Sequence, residues 1–132
     1  NDVLYQPVDM LLPCAVQNVL RPDNVGQVQA KYIVEGANNP TTASARAALH
    51  AAGKLVVPDF IANPGGIIAA YTELCVAHGV MQLSADESIA HAKRQTRETI
   101  AKNVQEIVSY ATRENVETQA VAKHLAYSKL FA

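Results

Sequence analysis

The 132-residue sequence contains no tryptophan and no block of like charges, and its formal net charge is −1. A chain without a basic stripe does not have the electrostatic footprint of a nucleic-acid-binding protein or of a polybasic membrane patch. No apolar run approaches the roughly 20 residues that a transmembrane helix needs. Residues 1–5 show neither the basic segment nor the apolar core of a signal peptide. These absences favour a cytoplasmic globular protein with no nucleic-acid or membrane partner.

Metal-binding and disulfide patterns are also absent from the sequence. The two cysteines, Cys14 and Cys75, are far apart and form no CxxC motif, which favours two buried free thiols over a disulfide. The four histidines are dispersed and form no HExxH motif. The sequence therefore predicts no metal site.

Short apolar runs alternate with a helical pattern in the first half of the chain. Residues 8–13 are predicted to form a central strand that is apolar on both faces, and residues 32–34 and 55–58 form two further strands. Residues 15–28 are expected to form a short helix and a turn. Residues 41–53 form a helix that threonine caps and Gly53 ends. This alternation predicts an α/β fold with a parallel sheet.

From Pro64 onward the pattern is helical. A helix that ends at Gly79 is followed by a capping box at residues 84–87, a long helix, a polar turn at residues 115–118 and a final helix. The residues expected to mark the packed faces of the three helices are Ile67, Ile68, Tyr71, Leu74 and Cys75; Ile89, Lys93, Thr96, Ile100, Val104, Ile107 and Ala111; and Val121, Leu125 and Leu130. We therefore divide the chain into an α/β part, residues 1–63, and a helical part, residues 64–132.

The chain has no GxGxxG turn and only three predicted strands, fewer than a doubly wound sheet usually contains. Two interpretations remain open: a small α/β domain in its own right, or the second half of a larger one. The absence of an initiator methionine favours the second.

Two polar loops follow successive strands, at residues 35–42 and 58–66. The carboxyl ends of parallel strands share one edge of a sheet, where ligands bind. Asn38 and Asn39 either close a turn or contact a ligand. Glu35 directly follows a buried strand, and we interpret it as bonding to amides of the second loop rather than as a catalytic group.

The second loop, Asn63-Pro64-Gly65-Gly66, leads into a helix. Its glycines allow close approach of an anion or a carbonyl oxygen to the helix start, although tight helix packing is an alternative. Asp59 is interpreted as a structural cap, with membership of a polar network as the alternative.

Residues 34–42 and 57–67 resemble the paired signatures of the Glu/Leu/Phe/Val amino-acid dehydrogenases. Residues 12–15 resemble the strand-end motif that precedes them, and residues 71–73 resemble the end of the following helix. The resemblance runs from about residue 8 to residue 75, in the order and spacing of the family.

This resemblance implies the C-terminal portion of a Rossmann-like NAD(P)-binding domain: a partial parallel sheet of about three strands followed by C-terminal helices. The whole family enzyme converts an L-amino acid, such as glutamate or leucine, to its 2-oxo acid and ammonia with NAD or NADP. Family members are usually homo-oligomers, often hexamers.

Carried over by position, the resemblance assigns cofactor binding to Asn38, Asn63, Pro13, Ala15 and Gly36. It assigns the substrate side to Asn63, Gly65, Gly66 and Ala70. Glutamate-specific members have serine where Ala70 stands, so Ala70 weakens the case for glutamate. Asn39 and Pro64 replace a usual glycine and a usual alanine, and Asn39 suits a left-handed backbone.

The catalytic lysine and aspartate of the family belong to segments upstream of the matched region, so the resemblance assigns no catalytic residue here. We therefore expect the isolated chain to be inactive, with weak or no cofactor binding. A non-catalytic binding or regulatory paralogue is one alternative. A scaffold whose loops merely resemble the family is another, and it predicts that Asn38 and Asn63 point apart.

Overall fold

The computed structural model describes residues 2–131, in which three parallel strands form a sheet. The strands are β1 (Met10–Leu11), β2 (Tyr32–Val34) and β3 (Leu55–Val57), in that order across the sheet. Ile33 lies opposite Leu11 on one side and Val56 on the other. The predicted α/β class with a partial parallel sheet is confirmed.

Five α-helices surround this sheet in the described part of the chain. They are α1 (Ala43–Ala51), α2 (Asp59–Ala62), α3 (Gly65–Ala77), α4 (Ala85–Glu114) and α5 (Thr118–Leu130), and short 3₁₀ turns occupy Asp2–Tyr5 and Val25–Gln27. As expected, the Thr42 hydroxyl caps α1 by accepting from the Ala45 amide, and Gly53 has a φ of +70°. Helix α2, a single turn directly after β3, has no counterpart among the predicted elements.

Two of the predicted elements differ from the structure, one in length and position and one in type. The strand at residues 8–13 is reduced to two residues and lies at an edge of the sheet, with Met10 50% and Leu12 55% exposed. The helix expected within residues 15–28 is a turn and one 3₁₀ turn. The Asn24 side chain explains this, since it accepts from the Arg21 amide and donates to the Val19 carbonyl, which fixes a loop.

Buried apolar side chains cover both faces of the sheet. One cluster joins Leu11, Ile33 and Val56 to Leu20 and to Leu49 of α1. The other joins Val57 and Ile61 to helices α4 and α5 through residues that include Ile107, Ala111 and Val121. Cover on both faces matches the architecture of parallel sheets in α/β proteins.

On α3 and α4, several side chains that were predicted to be packed are exposed. Ile67, Tyr71 and Leu74 are exposed, and α3 instead buries Thr72 and Cys75. On α4, Ile89 and Lys93 are exposed, and the packed face begins near Thr96. Leu130 of α5 is also exposed. In the described residues, no helix is long and apolar enough to cross a membrane.

The predicted capping box at the start of α4 is present, and it makes this helix end sensitive to pH. The Glu87 carboxylate accepts from the backbone amide and the hydroxyl of Ser84, and these hydrogen bonds, the backbone one foremost, lower the pKa of Glu87 below its usual 4.5. A carboxyl whose pKa is lowered by folding stabilises the folded state above its unfolded pKa, and this contribution is lost as the pH falls through the folded pKa.

We therefore expect the amide resonance of Ser84 to titrate with a midpoint below pH 4.5, measured by NMR. The Glu87→Gln variant, which cannot ionise, should abolish this transition. A midpoint at or above 4.5 in the unmodified chain would contradict the assignment.

Candidate functional site

Loops from all three strands meet at the carboxyl edge of the sheet. The Ala37 amide donates to the Pro13 carbonyl over 2.8 Å, which ties the loop after β2 to the segment after β1. A Cβ atom on Gly36 would lie only 2.5 Å from the Cys14 sulfur, so glycine permits this close approach. Pro13 is buried between these loops and Ala15 is exposed.

The two asparagines singled out in the sequence are in direct contact. The side-chain nitrogen of Asn63 donates to the side-chain oxygen of Asn38 over 2.9 Å and to the Gly36 carbonyl over 3.1 Å. The scaffold interpretation, in which these side chains point apart, is therefore wrong. The structure brings together Asn38, Asn63 and Gly36; their roles toward a cofactor remain predictions.

Glu35 holds the two loops together. Its side chain is fully buried, and one carboxylate oxygen accepts from the Asp59 amide over 3.0 Å. The other oxygen pairs with the Arg46 guanidinium over 3.2 Å. The interpretation of Glu35 as a link to the second loop is confirmed.

Sequence reasoning missed Arg46, the cation that makes the buried Glu35 possible. Arg46 is buried in α1, and the same nitrogen that pairs with Glu35 also donates to the Thr41 carbonyl over 2.7 Å. A buried carboxylate is costly unless it is paired and hydrogen-bonded. An arginine on an otherwise alanine-rich helix eleven positions beyond a buried glutamate was the available signal.

Asp59 belongs to the loop network. One of its carboxylate oxygens accepts from the Asn39 amide over 2.8 Å and the other from the Phe60 amide over 2.7 Å. Of the two roles considered for Asp59, the polar network is correct, because the carboxylate bridges to the first loop. Asn39 has a φ of +47°, the left-handed conformation expected for a residue that replaces glycine.

The glycine pair at the start of α3 serves two purposes. A Cβ atom on Gly65 would lie 3.1 Å from a methyl group of Thr96, so Gly65 allows α3 to pack closely on α4. The corresponding position on Gly66 meets no atom within 4 Å, which leaves the helix start open on that side. Ala70, one turn further along, is also exposed.

The thiols are both free, but they differ in exposure. Cys75 is buried as predicted, whereas Cys14 is exposed, because it lies in the loop at the open edge of the sheet. A hydrogen bond with the Cys75 sulfur raises the pKa of the Tyr71 hydroxyl. No group of metal-binding side chains occurs among the residues that the structure describes.

Comparison with known sequences identifies the family of this chain. The pattern of the family described as Glutamate/Leucine/Phenylalanine/Valine dehydrogenase matches residues 1–132. An NADP(+)-dependent glutamate dehydrogenase of Pyrobaculum calidifontis is 55% identical over 73 residues, which are 55% of this chain and 17% of that protein. A glutamate dehydrogenase of Thermotoga maritima is 43% identical over 73 residues, or 55% of this chain and 18% of that protein. The chain thus matches less than a fifth of the length of these relatives.

Solved structures agree with the fold. The hetero-hexameric glutamate dehydrogenase of Thermus thermophilus, in its Leu-bound form, superposes with a TM-score of 0.77 at 27% identity, over 98% of this chain and 30% of that one. The L-tryptophan dehydrogenase of Nostoc punctiforme gives a TM-score of 0.77 at 24% identity, over 95% of this chain and 34% of that one, which is a likeness of fold. The family pattern matches the whole sequence, and the matched sheet edge carries the hydrogen bond between Asn38 and Asn63. This chain therefore belongs to the Glu/Leu/Phe/Val dehydrogenase family.

Proposed function

We propose that the Asn38–Asn63 edge of the sheet is the nicotinamide-side wall of the catalytic cleft of an NAD(P)-dependent amino-acid dehydrogenase. Such an enzyme converts an L-amino acid to its 2-oxo acid and ammonia. The observation that carries the proposal is the 2.9 Å hydrogen bond between the two asparagines, at the edge where cofactors bind in parallel sheets. The nicotinamide ring, when bound, supplies the hydride acceptor.

The orientation of the two side-chain amides suits a carboxamide ligand. The Asn63 nitrogen uses its hydrogens on Asn38 and Gly36, which leaves its oxygen as an acceptor. The Asn38 oxygen accepts that bond, which leaves its NH₂ group as a donor. A nicotinamide carboxamide has one donor and one acceptor group, so it complements both side chains.

The substrate side of the proposed cleft is the start of α3. The open side of Gly66 and the positive end of the helix dipole suit a carboxylate of the substrate. Ala70 supplies no hydroxyl for a second carboxylate, which favours an apolar side chain such as that of leucine over glutamate. Because the relatives are glutamate dehydrogenases by name, the ratio of kcat/KM for the two amino acids is the measurement that decides.

The chain contributes orientation, and other parts of the enzyme contribute acid–base chemistry. The catalytic lysine and aspartate of the family lie outside the matched segments, so we propose that these 132 residues alone have no turnover and bind NAD or NADP weakly or not at all. We further propose a cytoplasmic enzyme that works as a homo-oligomer, of the hexameric kind common in the family.

The test is Asn38→Ala in the protein encoded by the native gene. We expect kcat to fall roughly 10- to 100-fold with only a small loss of stability, since a mispositioned reactant costs about that much. Asn103→Ala, on the partly buried side of α4, is the matched control and should leave kcat unchanged. Unchanged turnover and cofactor affinity in Asn38→Ala, or amino-acid-dependent NAD(P) reduction by the 132-residue chain alone, would contradict the proposal.

A further inference from the structure

The two polar loops at the carboxyl edge of the sheet exchange a reciprocal pair of hydrogen bonds. Glu35, on the first loop, accepts from the Asp59 amide over 3.0 Å. In return, the Asp59 side chain, on the second loop, accepts from the Asn39 amide over 2.8 Å. Each loop therefore holds the backbone of the other through a carboxylate. Hydrogen bonds to an ionised acceptor are roughly twice as strong as those between neutral groups.

The two carboxylates differ in their surroundings. Glu35 is fully buried and is neutralised by Arg46, so its hydrogen bond belongs to the packed interior. Asp59 is only partly buried, and among the described residues no basic side chain pairs with it. Its two oxygens accept instead from the backbone amides of Asn39 and Phe60. The charge of Asp59 is thus directed at the backbone, as expected for a group that sets the conformation of the loops.

The amide that Asp59 holds lies at a strained point of the first loop. Asn39 has a φ of +47°, in the left-handed region that is costly for residues other than glycine. Its amide donates to Asp59, and its carbonyl accepts from the Asn18 amide over 2.8 Å. The peptide groups before and after Asn39 are therefore fixed by the segments that follow β3 and β1.

The peptide group held by Asp59 is the one that joins Asn39 to Asn38. Fixing this peptide places the Asn38 side-chain oxygen 2.9 Å from the Asn63 side-chain nitrogen. Asn63 follows α2, the single turn that Asp59 begins, and its backbone amide donates to the Asp59 carbonyl over 2.7 Å. Asp59 thus connects to both asparagines, through its side chain on one side and through its backbone on the other.

We propose that Asp59 is a positioning residue for the asparagine pair. Its side chain holds the left-handed turn at Asn39 and thereby keeps Asn38 within hydrogen-bonding distance of Asn63. In this role Asp59 acts through Asn38 and not by contact with a reactant. The consequence for turnover rests on the proposed function, in which the pair orients the nicotinamide. The test therefore has one part that needs no turnover and one part that measures it.

The first part is hydrogen exchange at the Asn63 side-chain NH₂ group, measured by NMR on the ¹⁵N-labelled 132-residue chain. This group donates to Asn38 and to the Gly36 carbonyl, so its exchange should be slow. Asp59→Ala should speed the exchange roughly fivefold to tenfold, the effect of losing about one hydrogen bond. Adding Asn39→Gly to Asp59→Ala should restore much of the protection, since glycine adopts the left-handed backbone without strain.

A control variant and an internal reference accompany this measurement. Asp23→Ala removes an exposed carboxylate that pairs only with Arg21, and it should leave the exchange at Asn63 unchanged. The backbone amides of β2 report on unfolding and should keep their protection in Asp59→Ala. If they lose it, Asp59→Asn, which preserves the shape of the side chain, takes the place of Asp59→Ala with the same direction expected.

The second part is turnover of the protein encoded by the native gene. Asp59→Ala should lower kcat about tenfold, because the reactant is held less well in position. The double variant Asn38→Ala/Asp59→Ala should be no slower than Asn38→Ala alone, since two residues that act through one contact are not additive. Asp23→Ala should leave kcat unchanged.

The two parts separate a failure of the positioning role from a failure of the proposed function. Unchanged exchange at Asn63 in Asp59→Ala, no recovery on adding Asn39→Gly, or a double variant much slower than Asn38→Ala would overturn the positioning role. Faster exchange at Asn63, recovered by Asn39→Gly, with unchanged kcat in both Asp59→Ala and Asn38→Ala would support the positioning role and contradict the proposed function.

Discussion

Replacing Arg46 by methionine should lower the free energy of unfolding by about 3–5 kcal/mol, which is the cost of leaving a buried charge without its partner. The Glu35 carboxylate is fully buried and its pairing nitrogen belongs to Arg46. Methionine retains most of the volume of the arginine stem, so the loss reports on charge rather than on a cavity. Urea denaturation of the chain, followed by circular dichroism, measures the effect.

The matched control is Arg113→Met. Arg113 pairs with Glu114 over 2.7 Å, but both side chains are largely exposed, and surface pairs of this kind contribute little to stability because solvent screens them. The double variant Glu35→Gln/Arg46→Met removes both charges and should recover part of the stability lost in Arg46→Met. A loss below about 1 kcal/mol in Arg46→Met, or no recovery in the double variant, would show that the pair does not behave as a buried charge pair.

Replacing Ile107 by alanine should lower the free energy of unfolding by about 2–5 kcal/mol. Ile107 is 1% exposed and belongs to the cluster that joins α4 to Val57 and Ile61 beneath the second loop. Truncation of this side chain leaves a cavity, and the cost depends on how far the surroundings collapse into it. Thermal and urea unfolding measure the loss.

Ile89→Ala is a control on the same helix. The periodicity of the sequence places Ile89 and Ile107 on one face, but Ile89 is 54% exposed, so its truncation should change stability by less than about 0.5 kcal/mol. Equal losses in the two variants would mean that the first turns of α4 are packed like the later ones, contrary to the structure.

The parts of the fold that sequence reasoning predicted well depend on local chemistry. The Thr42 cap, the left-handed Gly53 and the Ser84–Glu87 capping box are settled by residues within a few positions of one another. The asparagine loops were found for a related reason, since successive parallel strands must end at the same edge.

The wrong predictions concern burial and position in the sheet, which depend on the surroundings of a side chain rather than on its neighbours in sequence. Periodicity places Ile67, Tyr71 and Leu74 on α3, but it does not reveal whether another surface covers them; in this chain they are exposed. Likewise, the composition of residues 8–13 is that of a central strand, whereas β1 pairs with β2 alone among the residues that the structure describes. The Arg46–Glu35 pair was missed because partners eleven residues apart meet through tertiary packing alone.

The unequal exposure of the two thiols has a practical consequence. Cys14 is exposed and lies against Gly36 at the carboxyl edge of the sheet, whereas Cys75, in α3, is buried. A thiol-directed fluorophore or spin label will therefore attach selectively at this edge of the sheet in the unmodified sequence. The chain thus has a natural attachment point for a spectroscopic probe, within contact distance of the loop that carries Asn38.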